Sequence, residues 1–64
     1  MNKQVFQVGD LVTLIIPAHI SDNSGRLGII TDYIPDLWDQ YGVVFVDEPE
    51  SGTNWYSDYN LEKV

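Results

Sequence analysis

The sequence predicts a small all-β domain of five short strands, closed as a barrel or folded as a sandwich. Three observations lead there. Runs of branched and aliphatic residues recur at short spacing, each ended by Gly, Pro, Asn or Asp. No window of about a dozen residues keeps the three-four-seven apolar spacing of a helix free of Pro, Gly or a β-branched run. The chain has 64 residues, 44% of them hydrophobic, which is enough for one core and one domain.

The first strand is expected over Asp10 to Ile16, after a Gly9-Asp10 turn, because Leu11, Val12, Leu14, Ile15 and Ile16 suit a pleated sheet. Pro17 has no N–H to give a ladder and ends it. Ser21 to Gly25 reads as a loop, in which Asp22 and Asn23 bond their own backbone and Gly25 takes positive φ. The second strand, Arg26 to Tyr33, would point Leu27, Ile29, Thr31 and Tyr33 one way and Gly28, Ile30 and Asp32 the other. Gly28 inside it suggests a bulge or sharp bend. Pro35 to Gln40 forms an acidic loop carrying Trp38. Tyr41 to Asp47 is the clearest strand, built on Val43-Val44-Phe45-Val46. Glu48 to Gly52 is a turn. Asn54 to Ser57 makes the fourth strand, Asp58-Tyr59-Asn60 one turn of 3₁₀ helix, and Leu61 to Val64 the last strand. Residues 1–7 are expected as a loose N-terminal segment of this single domain.

A domain this small buries only about 60% of the surface of its unfolded chain. With no cysteine there is no disulfide, and with His19 as the one histidine there is no zinc spacing, so stability rests on the apolar core. Absent cysteine fits a reducing compartment. Polar residues among the first eight break any signal-peptide core, and no run of about 18 apolar residues spans a bilayer. A soluble, cytoplasmic protein is expected.

Ten acids against three bases give a net charge of −7, and no Lys or Arg falls between Arg26 and Lys63. Nucleic-acid phosphates and anionic membranes are repelled by such a chain, whereas basic partners are drawn to it. The acidity also serves solubility on its own.

The order of elements resembles the SH3-like barrel superfold. The opening Val8-Gly9-Asp10-Leu11-Val12-Thr13-Leu14 looks like the start of many such barrels. Gly25-Arg26-Leu27-Gly28-Ile29-Ile30 is similar to the G-x-x-G-x-V stretch of KOW-type barrels of ribosomal and transcription proteins, and Tyr41-Gly42-Val43-Val44-Phe45 resembles their next strand. Trp55 to Val64 is similar to the closing segment, and the small stromal subunit of photosystem I has a similar layout. The resemblance covers Val8 to Val64 and implies a five-stranded barrel with a 3₁₀ turn before its last strand. It implies no one function, since superfolds carry many. The chain departs from nucleic-acid-binding KOW barrels in placing acids where they carry basic loops.

Aromatics and acids are the candidate site. Trp38 lies between Asp36 and Asp39 in a polar loop, with Asp32, Tyr33 and Tyr41 close in sequence. Aromatics beside acids hold Arg or Lys by cation–π and Coulomb attraction, or grip a proline-containing segment. Against this stands the reading in which Trp38 folds back to cap an open barrel end. Trp55 and Tyr56 are adjacent on a strand, so one faces the core and the other solvent. Asp47, Glu48 and Glu50 form a secondary acidic patch, and together with Asp32, Asp36 and Asp39 they read as solvated surface, as a docking face for a basic partner (mimicry of DNA phosphates included) or, on the least support, as cation ligands, since the oxygen-ligand spacing of an EF-hand is missing. His19 reads as an exposed loop residue. No nucleophile motif, phosphate loop or cofactor signature is present, so no enzyme, metal or cofactor is expected.

The expectation is therefore a small acidic protein-binding module, an accessory subunit or a regulator or inhibitor. It would dock a basic or proline-containing partner through Trp38, Tyr33, Tyr41, Asp32, Asp36 and Asp39. A KOW-like nucleic-acid-associated module of translation or transcription is the first alternative, and a purely structural subunit the second.

Overall fold

Exposed and buried residues alternate along Leu11-Val12-Thr13-Leu14, with Val12 and Leu14 inside. That period of two is strand β1, Leu11–Leu14. The computed structural model describes residues 5–17, 19–20, 23–35 and 39–64. Within them come β2 (Leu27–Ile34), β3 (Gln40–Phe45), β4 (Asn54–Ser57) and β5 (Leu61–Lys63). Single 3₁₀ turns occupy Pro49–Ser51 and Asp58–Asn60, and no α-helix occurs among the described residues. All pairings are antiparallel, in the order β4-β3-β2-β1-β5. No ladder joins β4 to β5 among the described residues, so the sheet is open there and the closed barrel is not seen as such.

The strands sit close to their expected places, and the differences have local causes. β1 is shorter than expected, because the Ile15 N–H leaves the ladder to donate to the Asn60 carbonyl in the second 3₁₀ turn. β3 stops at Phe45. Val46 and Asp47 form a turn, closed by the Glu48 N–H on the Phe45 carbonyl, and Pro49–Ser51 coils into a 3₁₀ turn in place of the simple turn the sequence predicts. Gly25 lies at φ +87° and its N–H donates to the Leu14 carbonyl, so a residue free of Cβ strain brings the chain back towards β1.

The bulge is not at Gly28, which pairs in register with Val12 and Phe45. Gly28 instead permits close approach: a Cβ there would collide with Val43 Cγ1. The register shift lies between Ile30 and Asp32. It makes Thr31 the extra residue and reverses the facing of the residues after it. Tyr33 therefore packs against the core on the side of Ile30, not on the side of Ile29 as plain alternation predicts.

The core is Phe6, Val12, Leu14, Ile30, Tyr41, Val43, Phe45 and Leu61, with Ile16, Tyr33 and Tyr56 packed against it. Phe6 departs from the expected loose segment. It is 4% exposed and its ring meets Tyr41 edge-on at 5.2 Å. The radius of gyration is 11.0 Å, close to the ~10.7 Å expected for a compact chain of this length.

Candidate partner-binding surface

Tyr41 is not at a surface. It is fully buried at the centre of an aromatic column, with Phe6 on one side and Tyr33 stacked on it at 4.8 Å. Its hydroxyl accepts hydrogen bonds from the Val5 N–H at 2.8 Å and the Phe6 N–H at 3.4 Å, so it pins the incoming chain. A buried phenol needs such partners, which is why this tyrosine is structural. The sequence could not separate it from its neighbours, because a tyrosine after a polar loop suits a rim and a core position equally.

Tyr33 is half-buried over the same column, and its hydroxyl donates to Asp39 Oδ1 at 2.9 Å. Desolvation first, and then the hydrogen bond and charge of Asp39, push the Tyr33 phenol up to about 12. Asp39 stands at φ +50°, in the left-handed region that Asp tolerates better than most residues. These two residues are thus committed to each other. Asp36 and Trp38, the centre of the expected site, lie outside the described residues.

The secondary acidic patch is answered from within the chain. The Arg26 guanidinium donates to Asp47 at 2.9 Å, to Glu48 at 3.3 Å and to Asn23 Oδ1 at 3.1 Å. The same group lies over the Phe45 ring, 3.9 Å from its centroid. The Arg26 hydrogen bond holds the Asp47 carboxyl below its ordinary range. β2 pairing with β3 in this register carries Arg26 across to the turn after β3, a contact that sequence separation hides. Glu50 remains exposed in that turn. Lys63, the other described cation of the Lys and Arg type, is 3.7 Å from Asp10. His19 is exposed, as expected of a loop residue. Among the described residues no three His, Cys, Asp or Glu gather as a metal site.

Two aromatics stand exposed among the described residues, Tyr59 after β4 and Trp55 within it, and Trp55 is the one set on the sheet. Alternation along the strand requires one of Trp55 and Tyr56 to face the core, and Tyr56 does so, leaving Trp55 44% exposed on the opposite face. Asp32, Gly42 and Trp55 form one cross-strand row. A Cβ on Gly42 would come within 3.2 Å of Trp55 Cη2, 3.1 Å of Asp32 Cβ and 2.8 Å of Thr53 Cγ2. The tip of the indole therefore rests over the bare glycine, flanked by Asp32. Among the expected site residues that are described, Asp32 lies on this face. Trp55 joins it from β4, and Gly42 is the signal that could have found it, since a glycine amid strand formers marks close approach.

No protein-family model matches the chain, and no curated protein or solved structure matches it significantly. Among the described residues, no helix is long and apolar enough to cross a membrane.

Proposed function

We propose that the chain is a protein-binding module with an SH3-like barrel architecture, an accessory subunit or regulator that docks a basic partner through an acidic and aromatic surface. The strand order β4-β3-β2-β1-β5, with a 3₁₀ turn between β4 and β5, supports the architectural part. The observation that carries the functional part is the exposed Trp55 indole held over Gly42 beside the Asp32 carboxylate. An aromatic face next to an acid that makes no ion pair among the described residues suits a Lys or Arg side chain, by cation–π contact and Coulomb attraction together. The field around the site favours the same partner. The net charge is −7, and both Arg26 and Lys63 are occupied by carboxylates of the chain itself. That arrangement weighs against a KOW-like nucleic-acid module, which needs free cations on its surface.

The test is capture of partners from cell extract on the tagged full chain, washed at low and at high salt. A basic protein that high salt removes, and that the Asp32→Asn, Trp55→Ala double variant no longer retains, supports the reading. A partner kept at high salt by both forms replaces it with a structural subunit. Retained nucleic acid replaces it with the KOW-like alternative.

A further inference from the structure

The side of the sheet opposite the core carries an apolar face that the core does not use. Directly paired residues share a face, so the register defines its rows. Leu11, Ile29 and Val44 form one row across β1, β2 and β3. Thr13 pairs with both Leu27 and Glu62 and makes a second row across β2, β1 and β5. The Asp32–Gly42–Trp55 row lies beyond the first. Leu11, Leu27 and Ile29 each remain about two-fifths exposed, at 39%, 40% and 39%. Single exposed apolar residues are ordinary on a surface, but a contiguous set rimmed by polar groups marks an interaction site.

We propose that this face docks a partner protein through an apolar stretch bordered by Lys or Arg residues. The inference rests on the binding-module reading and names its surface and the chemistry of its occupant. Charge complementarity selects the occupant. Glu62 stands at the β5 end of one row and Asp32 in the row beside Trp55, so the apolar strip is bordered by acids on two sides. The described Lys and Arg side chains are both engaged elsewhere, Lys63 with Asp10 and Arg26 with Asp47 and Glu48. A second copy of the chain would bring the same apolar strip together with another −7, and like charges at a shared border oppose that pairing. A purely basic segment would leave Leu11, Leu27 and Ile29 in water. A segment with an apolar centre and basic ends satisfies the strip and its border together.

The test uses the full-length chain, labelled with nitrogen-15, and three synthetic peptides of about ten residues. The first has a Leu-Val-Leu-Val centre between lysines, the second a Ser-Gly centre between lysines, and the third a Leu-Val-Leu-Val centre between glutamates. The first should bind, with amide shifts concentrated at Leu11, Leu27, Ile29 and Val44 and at the Trp55 indole. Ile29→Glu should weaken it about tenfold, although it adds an acid, and Leu27→Thr with Ile29→Thr should do the same while preserving strand formers. If the two lysine peptides bind equally and neither substitution matters, charge alone acts; this face is then wrong while the binding-module reading stands. If no lysine peptide binds, both fall. If the free chain dimerises at neutral pH and Ile29→Glu abolishes the dimer, the occupant is a second copy and the proposal is overturned.

Discussion

Replacing Gly28 by Ala tests the packing logic of the sheet with one methyl group. The added Cβ would collide with Val43 Cγ1, and it would sit 3.3 Å from the Val44 carbonyl oxygen and 3.7 Å from Phe45 Cδ1. Val43 is fully buried and Phe45 nearly so, so neither can swing into solvent. Overpacking of this kind costs about 1–3 kcal/mol. Lower entropy of the unfolded chain returns about 0.4–1 kcal/mol. The net expectation is a loss of about 1–2 kcal/mol, from a total of about 3–10 kcal/mol for a chain of this length. The melting temperature should fall by about 5–15 °C. Thermal and urea unfolding of Gly28→Ala, Val43→Ala and the double variant provide the assay. Val43→Ala removes the methyl that is struck, so the double variant should be more stable than the two single losses predict, by about 1–2 kcal/mol. Wild-type stability of Gly28→Ala, or strict additivity with Val43→Ala, would refute the close approach.

Tyr41→Phe removes the acceptor of two backbone N–H groups and should cost about 1–3 kcal/mol, and it should speed amide exchange at Val5 and Phe6 without disturbing the core elsewhere. The Arg26–Asp47 pair contributes stability above the ordinary Asp value of 3.8, and that contribution is lost as pH falls through the lowered folded value. Arg26→Gln should therefore flatten the acid limb of a melting-temperature profile, and salt should mimic part of its effect. The Tyr33 phenol, raised to about 12, favours folding below its ordinary value of 10.0, and this support is lost as pH rises towards 12. A tyrosinate absorbance titration should show a late-titrating component that is absent in Tyr33→Phe and lowered in Asp39→Asn.

The strands were legible because their cause is local. Period-two patterning and turn residues place Asn54 to Ser57 and the following 3₁₀ turn where the structure has them. Facing was legible only where no residue is inserted. Trp55 and Tyr56 obey simple alternation, whereas Thr31 is the extra residue of a bulge and turns Tyr33 inward. Nothing in Ile30-Thr31-Asp32 marks that insertion, because a bulge is decided by the partner strand. The site was legible least. Asp32 could be chosen from the sequence, but Tyr41 belongs to the core, and Arg26 answers Asp47 and Glu48 from 21 and 22 residues away. Both facts depend on register, which composition does not contain. Trp38 lies outside the described residues; Trp55 sits among strand residues, and its exposure comes from the parity of β4.

The position of Arg26 changes what the charge of the chain means. Counted along the sequence, the interval from Arg26 to Lys63 is one acidic block. In space, the block is split. One arginine charge offsets part of the Asp47 and Glu48 pair at the turn after β3, where the guanidinium also covers the Phe45 ring. Asp32 and Glu62, on the face opposite the core, make no ion pair among the described residues. Exposed ion pairs stabilise little, so thermodynamics alone gives weak reason to gather a scarce arginine onto two acids at one turn. The consequence for the surface is larger. Negative field is lowered over the β3–β4 turn and left standing along the face that carries Leu11, Leu27, Ile29 and Trp55. A charge-steered partner would be drawn to that face first, and the Arg26→Gln variant would then offer it a second, competing acidic turn. Faster but less specific capture of lysine peptides by that variant is the kinetic counterpart of the arrangement.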